Sequence, residues 1–119
     1  SHQGRLKGVL GPIANLLETP EHLELAIEVA LGGRLQDVVV ESWDDAEKAI
    51  AYLKQSRGGR ATFLPLDNLR PQRRNNAPRE KGVRGWAADL ISYDQDINPA
   101  VELLLGNILV VDDLAVARR

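Results

Sequence analysis

The amino-acid sequence predicts an α/β fold of two similar lobes, with an α+β arrangement as the alternative. Short apolar runs typical of buried strands alternate along the chain with segments whose apolar residues recur at the spacing of one helix face. The second observation is an internal repeat, because the pattern that begins at Gly8 returns at Gly82, 74 residues later. Together these observations favour two related lobes, the second of them incomplete.

The internal repeat keeps an offset of 74 residues over 25 positions and matches at nine of them. Further on, Val110 and Val111 repeat Val39 and Val40 at an offset of 71, which places Arg119 opposite a residue in mid-helix. Two copies are too few for a solenoid and suit two lobes related by an approximate twofold axis. The identical pairs are Gly8 and Gly82, Val9 and Val83, Gly11 and Gly85, Ala14 and Ala88, Leu16 and Leu90, Ala26 and Ala100, Glu28 and Glu102, Leu31 and Leu105, and Gly32 and Gly106.

The first lobe begins with a predicted strand at residues 6–10, a turn at Gly11-Pro12 and a short helical cluster at residues 13–17. After Pro20, apolar residues at i, i+3, i+4, i+7 and i+8 predict a helix that ends at Gly32-Gly33, as at a left-handed cap. We expect the same stripe in the second lobe. The two stripes are Leu23, Ala26, Ile27, Ala30 and Leu31, and Ile97, Ala100, Val101, Leu104 and Leu105.

Leu35 and the apolar run Val38-Val39-Val40 predict a strand that is covered on both faces. Ser42 and Asp45 then resemble a capping box, which predicts the start of another helix. This helix should end before Gly58-Gly59. Its predicted apolar face consists of Ala46, Ala49, Ile50 and Leu53.

Residues 59–67 predict the strand around which the chain is organised. Ala61, Phe63 and Leu66 supply apolar bulk, and Gly58-Gly59 precede them. Pro65 has no amide N–H to donate, so it marks the end of this strand or a position at which the next strand is not paired.

Residues 67–81 predict a long loop between the lobes. Six of the 15 basic residues fall between positions 70 and 84 together with one acid, Glu80, although the net charge of the chain is −2. Two interpretations stay open: a solvated linker, and a patch that contacts phosphates. No aromatic residue lies among the arginines, which argues against stacking on single-stranded bases. The six basic residues are Arg70, Arg73, Arg74, Arg79, Lys81 and Arg84.

Residue types that carry catalysis are scarce, and we expect no catalytic residue, metal or cofactor. The chain has no cysteine, and His2 and His22 are its only histidines, with His2 in a start that resembles the remnant of a purification tag. Asp44-Asp45 and Asp112-Asp113 fall at predicted helix starts, where carboxylates cap N–H groups. No apolar run approaches the ~20 residues of a membrane span.

Four segments in this order, together with the repeat, resemble the hinge domain of bacterial structural maintenance of chromosomes (SMC) proteins. The resemblance covers Gly8 to about Arg118. The segments are GVLG at 8–11, ALGGRLQ with VVV at 30–40, GRATFLPLD at 59–67, and LGN with VVDD at 105–113.

The resemblance implies a non-enzymatic dimerisation hinge that joins two coiled-coil arms of a cytoplasmic, chromosome-associated ATPase. Together with the tag-like start and the basic loop, it divides the chain into a tag remnant and arm entry at 1–7, lobe one at about 8–66, a basic linker at 67–81 and a partial lobe two at 82–119. The implied partner is a second hinge, with weak contact to DNA of any sequence. The residues expected to touch DNA are Lys54, Arg57, Arg73, Arg74 and Arg79.

For the dimer contact we expect the glycine turns Gly32-Gly33 and Gly106-Asn107. Hinges of this family continue to a last strand and a glycine-rich segment, so we expect residues 1–119 to be monomeric or only weakly self-associating at micromolar concentration, and a longer chain to form a stable dimer. Two alternatives are a small-molecule-sensing α/β regulatory domain and an enzyme fragment. A thermal-shift screen separates these alternatives from the hinge. A specific ligand raises the melting temperature by mass action, whereas the melting temperature of an association module depends on its own concentration.

Overall fold

The computed structural model describes residues 8–56, 61–70 and 76–112, in which strands and helices alternate. The strands are β1 Val9–Pro12, β2 Leu17–Glu18, β3 Val38–Val40, β4 Phe63–Pro65, β5 Val83–Trp86, β6 Ser92–Tyr93 and β7 Leu109–Val111. The α-helices are α1 Ile13–Leu16, α2 Glu24–Leu31, α3 Trp43–Ser56, α4 Ala87–Leu90 and α5 Asn98–Leu105. This mixed architecture confirms the predicted α/β class. None of the helices in these ranges is long and apolar enough to cross a bilayer.

The first sheet has the order β1-β3-β4, with β1 antiparallel and β4 parallel to β3. A parallel pair needs a crossover connection, which α3 supplies by packing Ala46 and Ala49 towards the sheet. The helix starts at the predicted cap. The Ser42 Oγ accepts from the Asp45 N–H at 3.1 Å and donates to Asp45 Oδ2 at 2.9 Å.

Gly8 fixes the way in which the chain enters this sheet. Its φ of +80° lies in the left-handed region that favours glycine, and its carbonyl accepts from the Glu41 N–H at 2.8 Å. A Cβ at this position would overlap the carboxylate of Asp45. Backbone conformation and space therefore both require glycine here.

The pair β5-β7 repeats the register of the pair β1-β3. Gly11 lies opposite Val39 and Gly85 lies opposite Val110, each with an irregularity one step before it. The N–H of Ile13 donates to the carbonyl of Asp37, and the N–H of Ala87, the corresponding residue of α4, donates to the carbonyl of Ile108, both at 2.8 Å. The donors of these two bonds are 74 residues apart and the acceptors 71.

A single segment accounts for that difference of three residues. In the first half, α2 is followed by a five-residue 3₁₀ helix, Gly32–Gln36, before β3 begins. In the second half, the turn at Gly106-Asn107 leads through Ile108 directly to β7. The sequence indicated a change of offset but not this 3₁₀ helix.

The two halves share one hydrophobic core. They are joined by the antiparallel pair β2-β6, in which Leu17 lies opposite Tyr93 and Glu18 opposite Ser92, and α2 contacts α5. Strands of two residues are too short to give a periodic signal, so the sequence did not reveal this pair. The core cluster takes Ile13, Leu23, Ile27, Leu31, Val39 and Leu64 from the first half and Ala87, Ala88, Ile91, Ile97, Ala100, Val101, Leu104, Leu105 and Val110 from the second.

The predicted stripe is correct for α5 and wrong in part for α2. All five residues of the α5 stripe are buried, whereas Ala26 and Ala30 of the α2 stripe are exposed. The segment after β4 runs along α5, since Leu69 packs against the core and Arg70 lines a small cavity with Glu102. The two helices therefore differ in burial although the spacing of their apolar residues is the same.

The strand predicted at 59–67 is described from residue 61 onwards and lies at an edge of the described sheet. Within residues 61–67 only Phe63–Pro65 is a strand, and the chain then turns through a 3₁₀ helix, Leu66–Asn68. Pro65 ends the strand as predicted, because it cannot donate to a ladder. The predicted helix stop at Gly58-Gly59 lies outside the described residues.

Candidate functional site

The basic residues expected to touch DNA are only partly described. Lys54 is exposed near the end of α3, and Arg79 is exposed in the segment before β5. Neither forms an ion pair with another residue of the described ranges. Arg57, Arg73 and Arg74 lie outside those ranges, so no contact among the five can be assigned.

The two glycine turns differ in conformation. Gly32 caps α2 with a φ of 53° and is exposed, as is Gly33. Gly106 has an ordinary φ of −61° and is buried, and a Cβ there would collide with the carbonyl oxygen of Glu102. Glycine is therefore needed for its conformation at the first turn and for its small size at the second.

A flank of α3 and the adjoining edge of β4 form an apolar surface, which we call the β4-edge surface. Trp43 and Ile50 are 54% and 43% exposed and lie seven residues apart, so they share one side of the helix. The N–H of Trp43 donates to Asp67 Oδ1 at 2.9 Å, which fixes this side of α3 against the end of β4. The outer edge of β4 is unpaired in the described part of the chain.

A cavity of about 880 Å³ adjoins the β4-edge surface at Ile50 and Phe63. It lies between α3 and the β3-β4 pair, and its walls combine apolar residues such as Val38 and Leu53 with polar residues such as Gln36 and Thr62. Gly33 and Lys54 lie on the wall as well, which brings one predicted interface residue and one predicted basic residue to the same place. These are the predicted site residues that the structure brings together.

An ion pair between the exposed Arg34 and the buried Asp37 supports one wall of this cavity. Asp37 is buried, and its Oδ2 accepts from the Arg34 Nε at 3.2 Å. Its carbonyl accepts from Ile13 and its N–H donates to the Arg34 carbonyl, so the backbone groups of Asp37 are also satisfied. The pairing holds the end of the 3₁₀ helix against β3.

The sequence did not identify the apolar members of this surface as functional residues. It assigned Ile50 and Phe63 to the core and gave Trp43 no role. The available signal was the spacing of Trp43 and Ile50, which continues a stripe beside the buried alanines of α3.

The described residues thus define a small α/β domain with an open groove between α3 and the β3-β4 pair. No group of three or more histidines, aspartates or glutamates within the described ranges could hold a metal ion. Asp45, from one of the carboxylate pairs, caps α3, and Asp112, from the other, lies 3.7 Å from Arg84. Both have structural partners.

Comparisons with known proteins agree with this architecture. The family model described as "SMC proteins Flexible Hinge Domain" matches residues 6–119. The chain is 44% identical over 112 residues to the "Chromosome partition protein Smc" of Pyrococcus furiosus, a match that covers 93% of the chain and 9% of that protein. The chain spans about a tenth of the length of the curated relatives that it matches.

Two solved structures show the same fold. The hinge domain of Geobacillus stearothermophilus SMC, described as an asymmetric dimer, superposes with a TM-score of 0.90 at 40% identity, covering 95% of this chain and 47% of that one. The Pyrococcus furiosus hinge with an extended coiled coil gives a TM-score of 0.81 at 44% identity, with 93% and 40% covered. The chain belongs to the SMC hinge family.

Proposed function

We propose that this chain is a dimerisation hinge that pairs with a second copy of itself and joins two coiled-coil arms of a chromosome-organising SMC protein. The β4-edge surface carries the proposal. An unpaired strand edge is a template for another chain, and the exposed Trp43 and Ile50 supply apolar area beside it. The similarity to a hinge that forms an asymmetric dimer supports this assignment.

The association is tested by sedimentation equilibrium of the wild-type chain and of Ile50→Asp, at concentrations up to about 1 mM. We expect the wild-type mass to rise towards twice that of the monomer, and the variant to associate about tenfold more weakly because a charge would be buried in the contact. Tyr52→Asp is the matched control, since Tyr52 lies on another side of α3 and is 44% exposed, against 43% for Ile50. An unchanged mass at all concentrations, or equal association of the two variants, contradicts the proposal.

The two glycine turns differ in how accessible they are to a second copy. Gly33 lies on the wall of the β4-edge cavity and would be covered by the second copy, whereas Gly106 is already buried in the domain. Gly32 adjoins Gly33 and Asn107 adjoins Gly106. We therefore assign the contact first to Gly32-Gly33 and treat Gly106-Asn107 as the second candidate.

We further infer that the two halves arose by internal duplication, with the first at about 8–66, a linker at 67–81 and a second copy that begins at about 82. The matching registers of β1-β3 and β5-β7 support this inference. At an offset of 74, Glu18 corresponds to Ser92, and these two residues lie opposite each other in β2-β6. A twofold axis that exchanges the halves would pass through that pair. The superposition of residues 9–31 on 83–105 in an experimental structure tests this, and unrelated positions of α2 and α5 would end the inference.

We also propose that the parent protein is a cytoplasmic, chromosome-associated ATPase whose catalytic sites lie outside this chain. The chain itself is then a hinge without enzymatic activity. The hinge with an extended coiled coil supports the position of the arms. An assay of ATP hydrolysis by this chain should give no rate above buffer, and a rate that saturates with ATP would contradict the assignment.

A weak contact with DNA is a second proposal, because Lys54 and Arg79 are exposed cations without a partner among the described residues. Binding of this kind is electrostatic and falls steeply with salt. Replacing Arg73 and Arg74 with Ala should lower the slope of log K against log [salt] by about two, whereas Lys48→Ala, whose Nζ pairs with Asp44 at 3.2 Å, should lower it less. An unchanged slope after the double replacement would show that these two arginines do not contact phosphates and that the loop is a solvated linker.

A further inference from the structure

A second cavity, of about 360 Å³, opens beside α2, and none of the residues that line it belongs to α3. Its floor is apolar and includes Leu17, Ile27 and Leu35. Its rim carries Glu24 and Glu28, which are exposed and one helical turn apart. We call it the α2 cavity. It therefore combines an apolar interior with two carboxylates at its mouth.

The charges at this rim are not compensated within the described ranges. Neither Glu24 nor Glu28 forms an ion pair or a side-chain hydrogen bond with a described residue, and α2 contains no basic residue. Like charges four residues apart on a helix disfavour each other. A cation placed between the two carboxylates would remove this repulsion.

The second half of the chain shows how the corresponding position is closed. At the offset of 74, Thr19 on the cavity wall corresponds to Tyr93, and Glu24 corresponds to Asn98. The Tyr93 hydroxyl donates to Asn98 Oδ1 at 2.9 Å, so an aromatic ring with a donor at its tip spans from β6 to α5. Thr19 is too short to span this distance. The first half thus has the acceptor but lacks the side chain that would reach it.

An exposed apolar stripe runs beside the rim. Leu25 and Val29 are 73% and 75% exposed and lie one turn apart, directly opposite the buried face of α2. An amphipathic partner helix that laid apolar residues on this stripe would bring its flanking residues to Glu24 and Glu28. The α2 segment of a second copy does not fit, because its own glutamates would meet these two.

We propose that the α2 cavity binds an arginine side chain presented by a basic amphipathic helix of another protein. The aliphatic stem lies along Leu17, Ile27 and Leu35, and the guanidinium donates to the carboxylates of Glu24 and Glu28. Arginine suits this site better than lysine, because its planar fork donates to two acceptors at once and is less strongly hydrated. The comparison with Tyr93 depends on the proposed internal repeat, whereas the cavity and its unpaired rim do not.

The probe is an acetylated and amidated helical peptide of about 18 residues, with one arginine and with leucines three and four residues away on the same face. A second peptide carries citrulline, which keeps the shape of arginine and removes its charge. Titrations are followed by ¹⁵N–¹H NMR of the labelled chain. We expect shifts at Glu24, Leu25, Glu28 and Val29, and about tenfold weaker binding of the citrulline peptide.

Two variants test the cavity directly. Thr19→Tyr with Glu24→Asn copies the pair of the second half and should weaken the arginine peptide about tenfold by filling the site. Glu24→Gln with Glu28→Gln keeps the shape and should make the two peptides bind alike. Glu47→Asn, at an exposed position on α3, is the control for the first variant, because both remove one negative charge. A thermal melt of each variant confirms that it is folded.

Four outcomes would overturn the proposal, three of them in the peptide titrations. They are equal binding of both peptides to the wild type, wild-type affinity in the Thr19→Tyr, Glu24→Asn variant, and peptide-induced shifts confined to α3. Loss of self-association in the Thr19→Tyr, Glu24→Asn variant would also overturn it, because the occupant would then be a second copy. The proposed dimer is tested separately at Ile50, so failure of one test leaves the other intact.

Discussion

The substitution Leu105→Ala should unfold both halves of the chain together. Leu105 is 1% exposed in α5 and belongs to the cluster that also holds Ile13, Leu31 and Val39 of the first half. A lobe with its own core would unfold by itself, whereas a shared core couples every element packed against it. The prediction is therefore that the free energy of unfolding falls by the same amount for both halves.

The expected loss is about 3 kcal/mol. Removing the three terminal carbons of a buried leucine forfeits roughly 0.8 kcal/mol for each in transfer free energy. The cavity left behind adds about 24 cal/mol per Å³ that does not collapse, which brings Leu→Ala losses to about 2–5 kcal/mol. Leu103→Ala is the matched control, because Leu103 lies on the same helix at 49% exposed and should lose less than about 1 kcal/mol.

The two tryptophans report each half separately in the assay. Trp43 belongs to α3 in the first half and Trp86 to β5 in the second. Urea unfolding followed by fluorescence, in Trp43→Phe and Trp86→Phe backgrounds, should show the same shift in midpoint for both reporters when Leu105 becomes Ala. A shift confined to Trp86, with the Trp43 transition unchanged, would show that the halves have independent cores and would refute the reasoning.

Two further substitutions test local features of the first half. Gly8→Ala should cost about 1–2 kcal/mol for the positive φ and more for displacing the Asp45 carboxylate, whereas Gly33→Ala, which has open space and no positive φ, should cost less than about 1 kcal/mol in the same urea assay. Equal losses would contradict the conformational argument. Ser42→Ala should cost about 1 kcal/mol by removing the bond to the Asp45 N–H, and an unchanged midpoint would show that the cap is not needed.

Local features of this fold could be predicted from the sequence because neighbouring residues determine them. The cap at Ser42 and Asp45 and the valine strand at Val38–Val40 depend on short-range hydrogen bonds and on local apolar runs. The identity of Gly8 with Gly82 and the later shift of offset likewise pointed to two similar strand pairs. These features need no knowledge of what lies across the fold.

The burial of identical residues could not be predicted in the same way. Ala26 and Ala100 occupy corresponding places in α2 and α5, yet the first is exposed and the second is 0% exposed. The difference comes from the tertiary surroundings of each helix, because Ala100 belongs to the core cluster and Ala26 does not. Long-range cover of this kind leaves no trace in the spacing of the helix itself.

The same limit explains why the candidate site was incomplete in the sequence. A residue such as Ile50 has the spacing of a core position, yet it is 43% exposed. The glutamates of α2 likewise have the pattern of an ordinary solvated face, yet in the structure they line a cavity with Leu17, Ile27 and Leu35. In both places the functional proposal depends on the surroundings of a residue in the folded chain, which a periodic pattern does not record.

The shared core also determines how the proposed surfaces relate to one another. The β4-edge surface and the α2 cavity both belong to the first half, while the cluster that anchors α2 takes most of its residues from the second. A packed interior of this kind deforms little, so a load applied at one surface is carried through the core rather than absorbed between two lobes. If the chain joins two arms as proposed, the angle between them would then be set by contacts between copies and by the arms, and the domain itself would act as a stiff block.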